Sequence, residues 1–110
     1  MEKSSQSSKH YQVNIRIYPT LKKNLRYLCT DEDMNFTEKI KKLICEDIRH
    51  KTCPGDFSPW QSGETMSKRL VFNVEVSLYD EFSQMCRDWG IQRERRLNQI
   101  IAYEVKRKRG

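Results

Sequence analysis

The chain has 110 residues, a formal net charge of +6 at pH 7 and a sequence pI of about 9.3, and 33% of its residues are charged. A chain of this length forms one domain, or two very small units that share a core. No apolar run is long enough to cross a membrane, and Met1–Lys9 lacks the hydrophobic stretch of a signal peptide, so we expect a soluble protein of the cytoplasm. The positive charge favours a polyanionic partner, with nucleic acid first.

Residues 1–9 are polar and Ser-rich, which predicts a flexible tail. The first predicted regular element is a strand over residues 12–17. In an extended chain Val13, Ile15 and Ile17 point to one face and Gln12, Asn14 and Arg16 to the other. Gln, Asn and Arg suit bidentate hydrogen bonds to base edges in the major groove, and a two-stranded ribbon fits that groove. The same alternation also suits the solvated face of an ordinary edge strand, so this element alone does not decide the function.

Two amphipathic helices are predicted after this strand. Pro19 ends the strand and Thr20 is placed to cap the first helix, whose apolar stripe is Leu21, Leu25 and Leu28. Asn35 is placed to cap the second helix. The apolar face of that helix consists of Phe36, Ile40, Leu43, Ile44 and Ile48. Residues 10–51 therefore predict the order strand, helix, turn, helix.

Residues 52–67 predict a linker, because Pro54-Gly55 and Gly63 interrupt any regular element. The segment also carries Phe57 and Trp60, which a purely flexible tether would not need. We expect these aromatic side chains to pack against the helices rather than contact a partner.

The four cysteines form no CxxC pair, and we expect them to be free thiols rather than disulfides. Cys29 and Cys86 are predicted core residues, since cysteine is among the most buried residue types. A zinc site built from Cys45, His50 and Cys53 would lack a fourth ligand. The sequence therefore predicts no metal site and no cofactor.

The second half of the chain repeats the pattern of apolar and capping positions of the first half. Val13 matches Leu70, and all other matched positions have the same separation in numbering, so no gap is needed. By the same offset, Ile15 and Ile17 match Phe72 and Val74, and the cap Thr20 matches Ser77. The helical residues Leu21, Leu25, Leu28, Cys29, Ile40, Ile44 and Ile48 match Leu78, Phe82, Met85, Cys86, Leu97, Ile101 and Val105. The chain therefore reads as a tandem duplication, with residues 68–110 as its second unit and a basic end at residues 106–109.

The order strand, helix, turn, helix with a polar strand face resembles the ribbon–helix–helix family of DNA-binding proteins, of the Arc/MetJ type. The resemblance covers 10–51 and 68–109, and Gln12-x-Asn14-x-Arg16 is its most specific part. It implies a mainly α fold with a short antiparallel two-stranded β-ribbon, in which two ribbon–helix–helix units form one pseudo-dimeric domain. Within one chain the simplest solution is an internal pseudo-dimer, because one strand with two short helices cannot bury enough surface to fold. Pairing of like units between two chains remains the alternative.

The resemblance also assigns candidate sites for double-stranded DNA. The base-reading positions are Gln12, Asn14, Arg16, Arg69, Val71 and Asn73, and the phosphate-binding positions at the starts of the second helices are Asn35, Phe36, Gln92 and Arg93. Arg69 suits guanine and Asn73 suits adenine. Val71 either touches a thymine methyl or turns inward in a bulged strand. We therefore expect the first unit to supply most of the base contacts and the DNA site to be an imperfect palindrome.

Charge near the second of these helix starts is open to two interpretations. Arg95 and Arg96 follow Arg93, and together they add attraction for phosphate or form a solvated face. The basic end at residues 106–109 is expected to add only non-specific attraction.

The function predicted from these sites is a sequence-specific transcription regulator, with repression as the commoner outcome in the family, and with possible further oligomerisation on DNA. The chain is also similar to the small regulators that archaeal viruses and plasmids encode, which would act in the host cytoplasm. The alternative function is a ribbon–helix–helix antitoxin, although such proteins usually continue past the second helix and this chain ends soon after Val105. No enzyme is predicted, because His10 and His50 form no recognisable acid–base or nucleophile arrangement, and no small-molecule effector site is evident.

Overall fold

The computed structural model describes residues 9–51 and 63–109. In chain order the elements are β1 (His10–Ile17), α1 (Pro19–Asp31), α2 (Phe36–His50), β2 (Lys68–Glu75), α3 (Val76–Trp89) and α4 (Arg93–Arg109). The order strand, helix, helix therefore occurs twice, and the starts of α1 and α3, like those of α2 and α4, are separated by the offset of the sequence repeat. The expectations for Cys53, Phe57 and Trp60 fall outside the described residues.

The two strands of the described segments pair with each other in an antiparallel sheet. The register runs from His10 opposite Glu75 to Ile17 opposite Lys68, and it sets Asn14 opposite Val71. Asn14 and Val71 are also equivalent positions of the repeat, so the pseudo-twofold axis of the ribbon passes through this pair. Each strand residue has one partner along this register, and Val71 is 47% exposed. The alternative of a bulged strand with an inward Val71 is therefore wrong.

A single core lies between the inner face of the ribbon and the helices. The inner strand side chains are all buried: Val13, Ile15, Ile17, Leu70, Phe72 and Val74. They join buried residues of all four helices, among them Leu21, Leu25, Ile40, Ile44, Phe82, Leu97 and Ile101. Each such side chain contributes about 1.5–3 kcal/mol by leaving water. Because successive side chains of each strand point to opposite faces, the face that does not meet the core is exposed to solvent.

The predicted core thiols are confirmed. Cys29 and Cys86 are buried and carry no disulfide, and burial raises the pKa of the Cys86 thiol to about 11. Cys45 is a free thiol of intermediate exposure. Across the described ranges 9–51 and 63–109, no three His, Cys, Asp or Glu side chains lie together as a metal site would require.

The start of α1 differs from the prediction. Thr20 is not the N-cap: Tyr18 is, because Pro19 fits the first helical position, where no N–H is needed. Thr20 lies one residue further in, where its N–H donates to Glu64 Oε1 at 3.0 Å and its hydroxyl to Glu64 Oε2 at 2.5 Å. A carboxylate from the segment before β2 thus binds the first turn of α1. Ser77 is likewise inside α3, which begins at Val76.

The start of α2 confirms the predicted cap. The Asn35 side chain accepts from the Glu38 N–H at 2.8 Å, and the Asn35 N–H donates to Glu38 Oε1 at 3.0 Å. This reciprocal capping box satisfies two N–H groups that the helix itself leaves without partners.

The basic end belongs to α4 through residue 109. Arg107 forms an ion pair with Glu104 at 2.6 Å, and Lys108 forms one with Glu32 at 3.3 Å. The charges of Arg107 and Lys108 are therefore partly neutralised within the protein. None of the helices in the described segments has the length and apolar character needed to span a bilayer.

Candidate nucleic-acid interface

The register brings the six predicted base-reading side chains onto one surface, which we call the outer face of the ribbon. It consists of Gln12, Asn14 and Arg16 on β1 and Arg69, Val71 and Asn73 on β2, and all six are exposed. Side chains at directly opposed positions of an antiparallel pair lie on the same side of the sheet. The six side chains of the outer face form three rows, each with one residue from each strand, and the His10–Glu75 pair continues the same side of the ribbon beyond Gln12 and Asn73.

The three rows differ in chemistry from one end of the ribbon to the other. Arg16 lies opposite Arg69 at one end, and Gln12 lies opposite Asn73 at the other. In the central row, Asn14 Oδ1 accepts a long hydrogen bond from Arg69 Nη1 at 3.4 Å. One end of the outer face thus presents two guanidinium groups and the other presents two amides.

Arg16 is held by a carboxylate from the first turn of α4. Its Nη2 lies 2.9 Å from Glu94 Oε1, its Nε lies 3.3 Å from the same oxygen, and its backbone N–H donates to Glu94 Oε2 at 2.7 Å. The Asn98 side chain also donates to the Arg16 carbonyl oxygen at 3.0 Å. Glu94 therefore joins the free edge of β1 to the start of α4.

The ionisation of this pair follows its geometry. The hydrogen bond and charge of Glu94 raise the pKa of Arg16. Burial alone would raise the pKa of Glu94, but its hydrogen bonds from Arg16 outweigh burial and the pKa is lowered. Both side chains are therefore charged at neutral pH, although the Arg16 side chain is still 60% exposed.

The corresponding contact on β2 uses the same positions but different chemistry. The Asn73 N–H donates to Thr37 Oγ1 at 3.4 Å in the first turn of α2. Asn73 and Thr37 are the repeat equivalents of Arg16 and Glu94, each in the opposite half of the chain. Each strand edge therefore meets the second helix of the other half, but only β1 meets a carboxylate there.

The first predicted phosphate position is the start of α2. The capping box occupies the N–H groups of Asn35 and Glu38 and does not involve the first-turn N–H groups of Phe36 and Thr37. Phe36 is half-buried, and the Arg26 guanidinium lies 6.0 Å from its ring centre. The positive end of the α2 dipole is thus beside β2.

The second predicted phosphate position, at the start of α4, is built differently. Gln92 is exposed and its carbonyl accepts the Arg96 N–H at 2.9 Å. Arg93 folds back onto α3, with its guanidinium 5.5 Å from the ring centre of Tyr79 and its Nη1 3.2 Å from Ser83 Oγ. Arg96 is only 3% exposed, so the expectation that it adds charge for phosphate or lies on a solvated face is wrong.

A groove of about 840 Å³ lies between β1, α3 and the start of α4. Tyr11 forms one wall, packing edge-on against Tyr79 with ring centres 5.9 Å apart and donating its hydroxyl to Asp80 at 3.1 Å. Arg93 and Gln92 form the side nearest α4. The groove opens beside the outer face, on the edge of β1.

Sequence reasoning missed Glu94 and Thr37, although both follow from the repeat. The two residues occupy equivalent positions of the two halves, and each lies one position after the predicted phosphate residues of its helix. The ribbon register was the missing information, because it decides which helix start lies beside which strand edge. Comparison of the chain with protein-family models, curated proteins and solved structures finds no match.

Proposed function

We propose that this protein is a sequence-specific regulator that binds double-stranded DNA, and that its two ribbon–helix–helix units share one ribbon, which enters the major groove. The observation that carries the proposal is the outer face, where five of six exposed side chains are Gln, Asn or Arg. These residue types form the bidentate hydrogen bonds that distinguish bases in the major groove.

The dimensions of the ribbon suit this role. Paired strands lie about 4.8 Å apart, and the major groove is about 12 Å wide, so a two-stranded ribbon fits. Residues 12 and 16 are four positions apart, which is about 13 Å along a strand at ~3.3 Å per residue. Bases in B-DNA rise about 3.4 Å per step, so the two outer rows are separated by about four base-pair steps.

Attachment to the DNA backbone would come from the helix starts and from the net charge of +6. The starts of α2 and α4 flank β2 and β1 respectively, as the contacts of Thr37 and Glu94 define. First-turn N–H groups and the helix dipole favour a phosphate there. Such contacts would fix the ribbon in the groove, while the outer face supplies the sequence preference.

One chain supplies both strands of the ribbon, so we propose that a monomer is the DNA-binding unit. Regulation would then follow from occupancy of a DNA site near a promoter. Pairing of like units between two chains predicts a dimer instead, with two copies of each strand.

The first test is selection of bound duplexes from a random DNA pool, with the mass of the free protein measured by light scattering. The proposal predicts a monomer that enriches one motif. Arg16→Ala should weaken that enrichment, whereas the matched control Arg49→Ala should not, because Arg49 is exposed at the far end of α2. Failure of the wild-type protein to enrich any motif, with binding that disappears at moderate salt, would contradict the proposal.

A further inference from the structure

The two ends of the outer face place chemically similar side chains together, although the repeat alone would separate them. Arg16 and Arg69 come from non-equivalent positions of the two units, as do Gln12 and Asn73, and the antiparallel register makes each of them a neighbouring pair. Arginine pairs best with guanine O6 and N7, and Asn and Gln pair best with adenine N6 and N7. The ribbon therefore has an end suited to guanine and an end suited to adenine.

Glu94 binds one particular edge of the Arg16 guanidinium. Its carboxylate lies against the side edge formed by Nε and Nη2, at 3.3 and 2.9 Å from Oε1. A guanidinium has five N–H donors, and those at its outer end belong to Nη1 and Nη2. Within the described chain, Arg16 Nη1 has no hydrogen-bond partner, and the side chain is 60% exposed. The outer edge, formed by Nη1 and Nη2, can pair bidentately with guanine and is not the edge that Glu94 occupies.

Fixing this side chain in advance matters for specificity. An unrestrained arginine loses rotamer entropy when it is immobilised on a base, and a side chain that is already oriented loses less. Glu94 is in turn held by the Arg16 backbone N–H at 2.7 Å, and its charge is favoured at the start of α4. The other half lacks this arrangement, because Thr37 offers a hydroxyl and Asn73 replaces the arginine.

We infer that the ribbon reads an asymmetric DNA segment, with guanine at the Arg16–Arg69 end and adenine about four base pairs away at the Gln12–Asn73 end. Glu94 is the positioning residue that orients Arg16 for guanine. The inference rests on the proposed function and names the DNA which that function requires. Because the two ends differ, the protein binds its site in a single orientation.

The experiment measures dissociation constants of the full chain for its selected duplex and for duplexes changed at one base pair at a time. The wild-type protein should discriminate against replacement of the guanine by about 5- to 150-fold. Glu94→Thr installs the residue found at the matching position of α2, and Glu94→Gln keeps the side-chain length. Both variants should lose at least about fivefold of the guanine discrimination and leave adenine discrimination unchanged. Glu81→Thr removes the same charge from an exposed site on α3 and should alter neither.

A gain of specificity provides the complementary test. The double variant Thr37→Glu/Asn73→Arg places the Arg16–Glu94 arrangement at the other end of the ribbon. Its selected motif should change from adenine to guanine at that end. Circular dichroism and thermal unfolding would show that each variant is folded before its binding is compared.

The outcomes separate the two proposals. A wild-type motif with identical ends would overturn this inference while leaving DNA binding in place. If Glu94→Thr weakened binding to the selected duplex and to every single-base-pair variant by the same factor, this inference would also be overturned. Glu94 would then act only through its charge. The absence of any enriched motif would overturn the proposed function, and this inference with it.

Discussion

Lys39 and Arg96 occupy equivalent positions of the two repeats, and each is a buried cation that pairs with an acid from the other half. Lys39 Nζ lies 2.6 Å from Glu104 Oε2, and Arg96 Nη2 lies 2.5 Å from Asp47 Oδ1. Asp47 and Glu104 are themselves equivalent positions of the repeat. The two ion pairs are therefore related by the repeat, and both cross between α2 and α4, with exposures of 0% for Lys39 and 3% for Arg96.

Each cation also has support from its own half, again at equivalent positions. Lys39 binds Glu32 at 2.6 Å, whereas the Arg96 guanidinium lies 5.2 Å from the ring centre of Trp89. The longer acid, Glu104, faces the lysine, and the shorter acid, Asp47, faces the arginine. Pairing of like units would set Lys39 opposite a second copy's Asp47, one methylene shorter. The arrangement therefore favours pairing of the two different halves.

Removing one partner of such a pair should be strongly destabilising. Asp47→Ala leaves Arg96 buried without its carboxylate, and we expect the free energy of unfolding to fall by about 3–5 kcal/mol. Urea denaturation measures this change. The control Glu81→Ala removes an exposed carboxylate and should remain within about 0.5 kcal/mol of the wild type. Replacing both partners, as Arg96→Met/Asp47→Leu, should recover most of the loss, and a double variant no more stable than Asp47→Ala would contradict this account.

The ion pairs also predict how stability depends on pH. Burial alone would raise the pKa of Glu104, but its hydrogen bonds from Lys39 and Arg107 outweigh burial and lower it. A carboxyl group with a lowered pKa stabilises the fold above its usual value of 4.5 and loses that contribution as pH falls through the folded-state value. The urea midpoint should therefore fall steadily below about pH 4.5. Glu104→Gln should be less stable at pH 7 and less sensitive to acid, and an equal acid sensitivity would contradict the assignment.

At alkaline pH the sign is opposite for Lys39. Burial alone would lower its pKa, but hydrogen bonds to Glu104 and Glu32 outweigh burial and raise it. A lysine with a raised pKa contributes stability that is present below its usual value of 10.5 and is lost as pH rises through the folded-state value. Stability should therefore decline above about pH 10.5.

The carboxylate at the start of α1 should also contribute measurable stability. Glu64 accepts both the N–H and the hydroxyl of Thr20, and it adds a negative charge at the positive end of the helix dipole. Glu64→Ala should lower the free energy of unfolding by about 1 kcal/mol, the usual contribution of a cap. Thermal unfolding beside the control Thr65→Ala, one residue away and exposed, checks this, and equal melting temperatures would contradict it.

The two predicted classes of DNA contact should respond differently to substitution. Arg16→Ala should weaken binding to the selected motif by about 1–3 kcal/mol and relax specificity at one base pair. Arg93→Gln should weaken binding to all sequences similarly and reduce the slope of log affinity against log salt by about 1. Filter binding at several salt concentrations measures both. An unchanged slope would mean that Arg93 serves only its contacts with Tyr79 and Ser83.

The elements of the fold could be predicted because each has a local cause. Alternation at residues 12–17 gave the strand, the apolar spacing gave the helices, and the side chain of Asn35 gave the start of α2. The cap at Thr20 was wrong because Pro19 takes the first helical position. The decisive contact of the candidate site, Arg16 with Glu94, joins residues 78 apart in sequence and depends on the strand register.

The buried cations could not be predicted for a related reason. Lysine and arginine are rarely fully buried unless they are paired, and the partners of Lys39 and Arg96 lie in the other half of the chain. The sequence nevertheless carries a signal for the buried pairs, because Lys39 and Arg96 are each followed directly by a predicted core residue, Ile40 or Leu97. An acidic residue also follows each cation about two helical turns later, at Asp47 and Glu104. The repeat offset makes this pattern visible only after the two halves are known to face each other.

Methylation interference on the selected duplex tests whether the outer face of the ribbon lies in the major groove. Dimethyl sulfate methylates guanine at N7, which lies in the major groove, and adenine at N3, which lies in the minor groove. If the outer face of the ribbon enters the major groove, methylation of the guanine in the selected motif will block binding, and methylation of the adenines will not. Binding that is blocked by adenine N3 methylation and tolerates guanine N7 methylation would contradict the account.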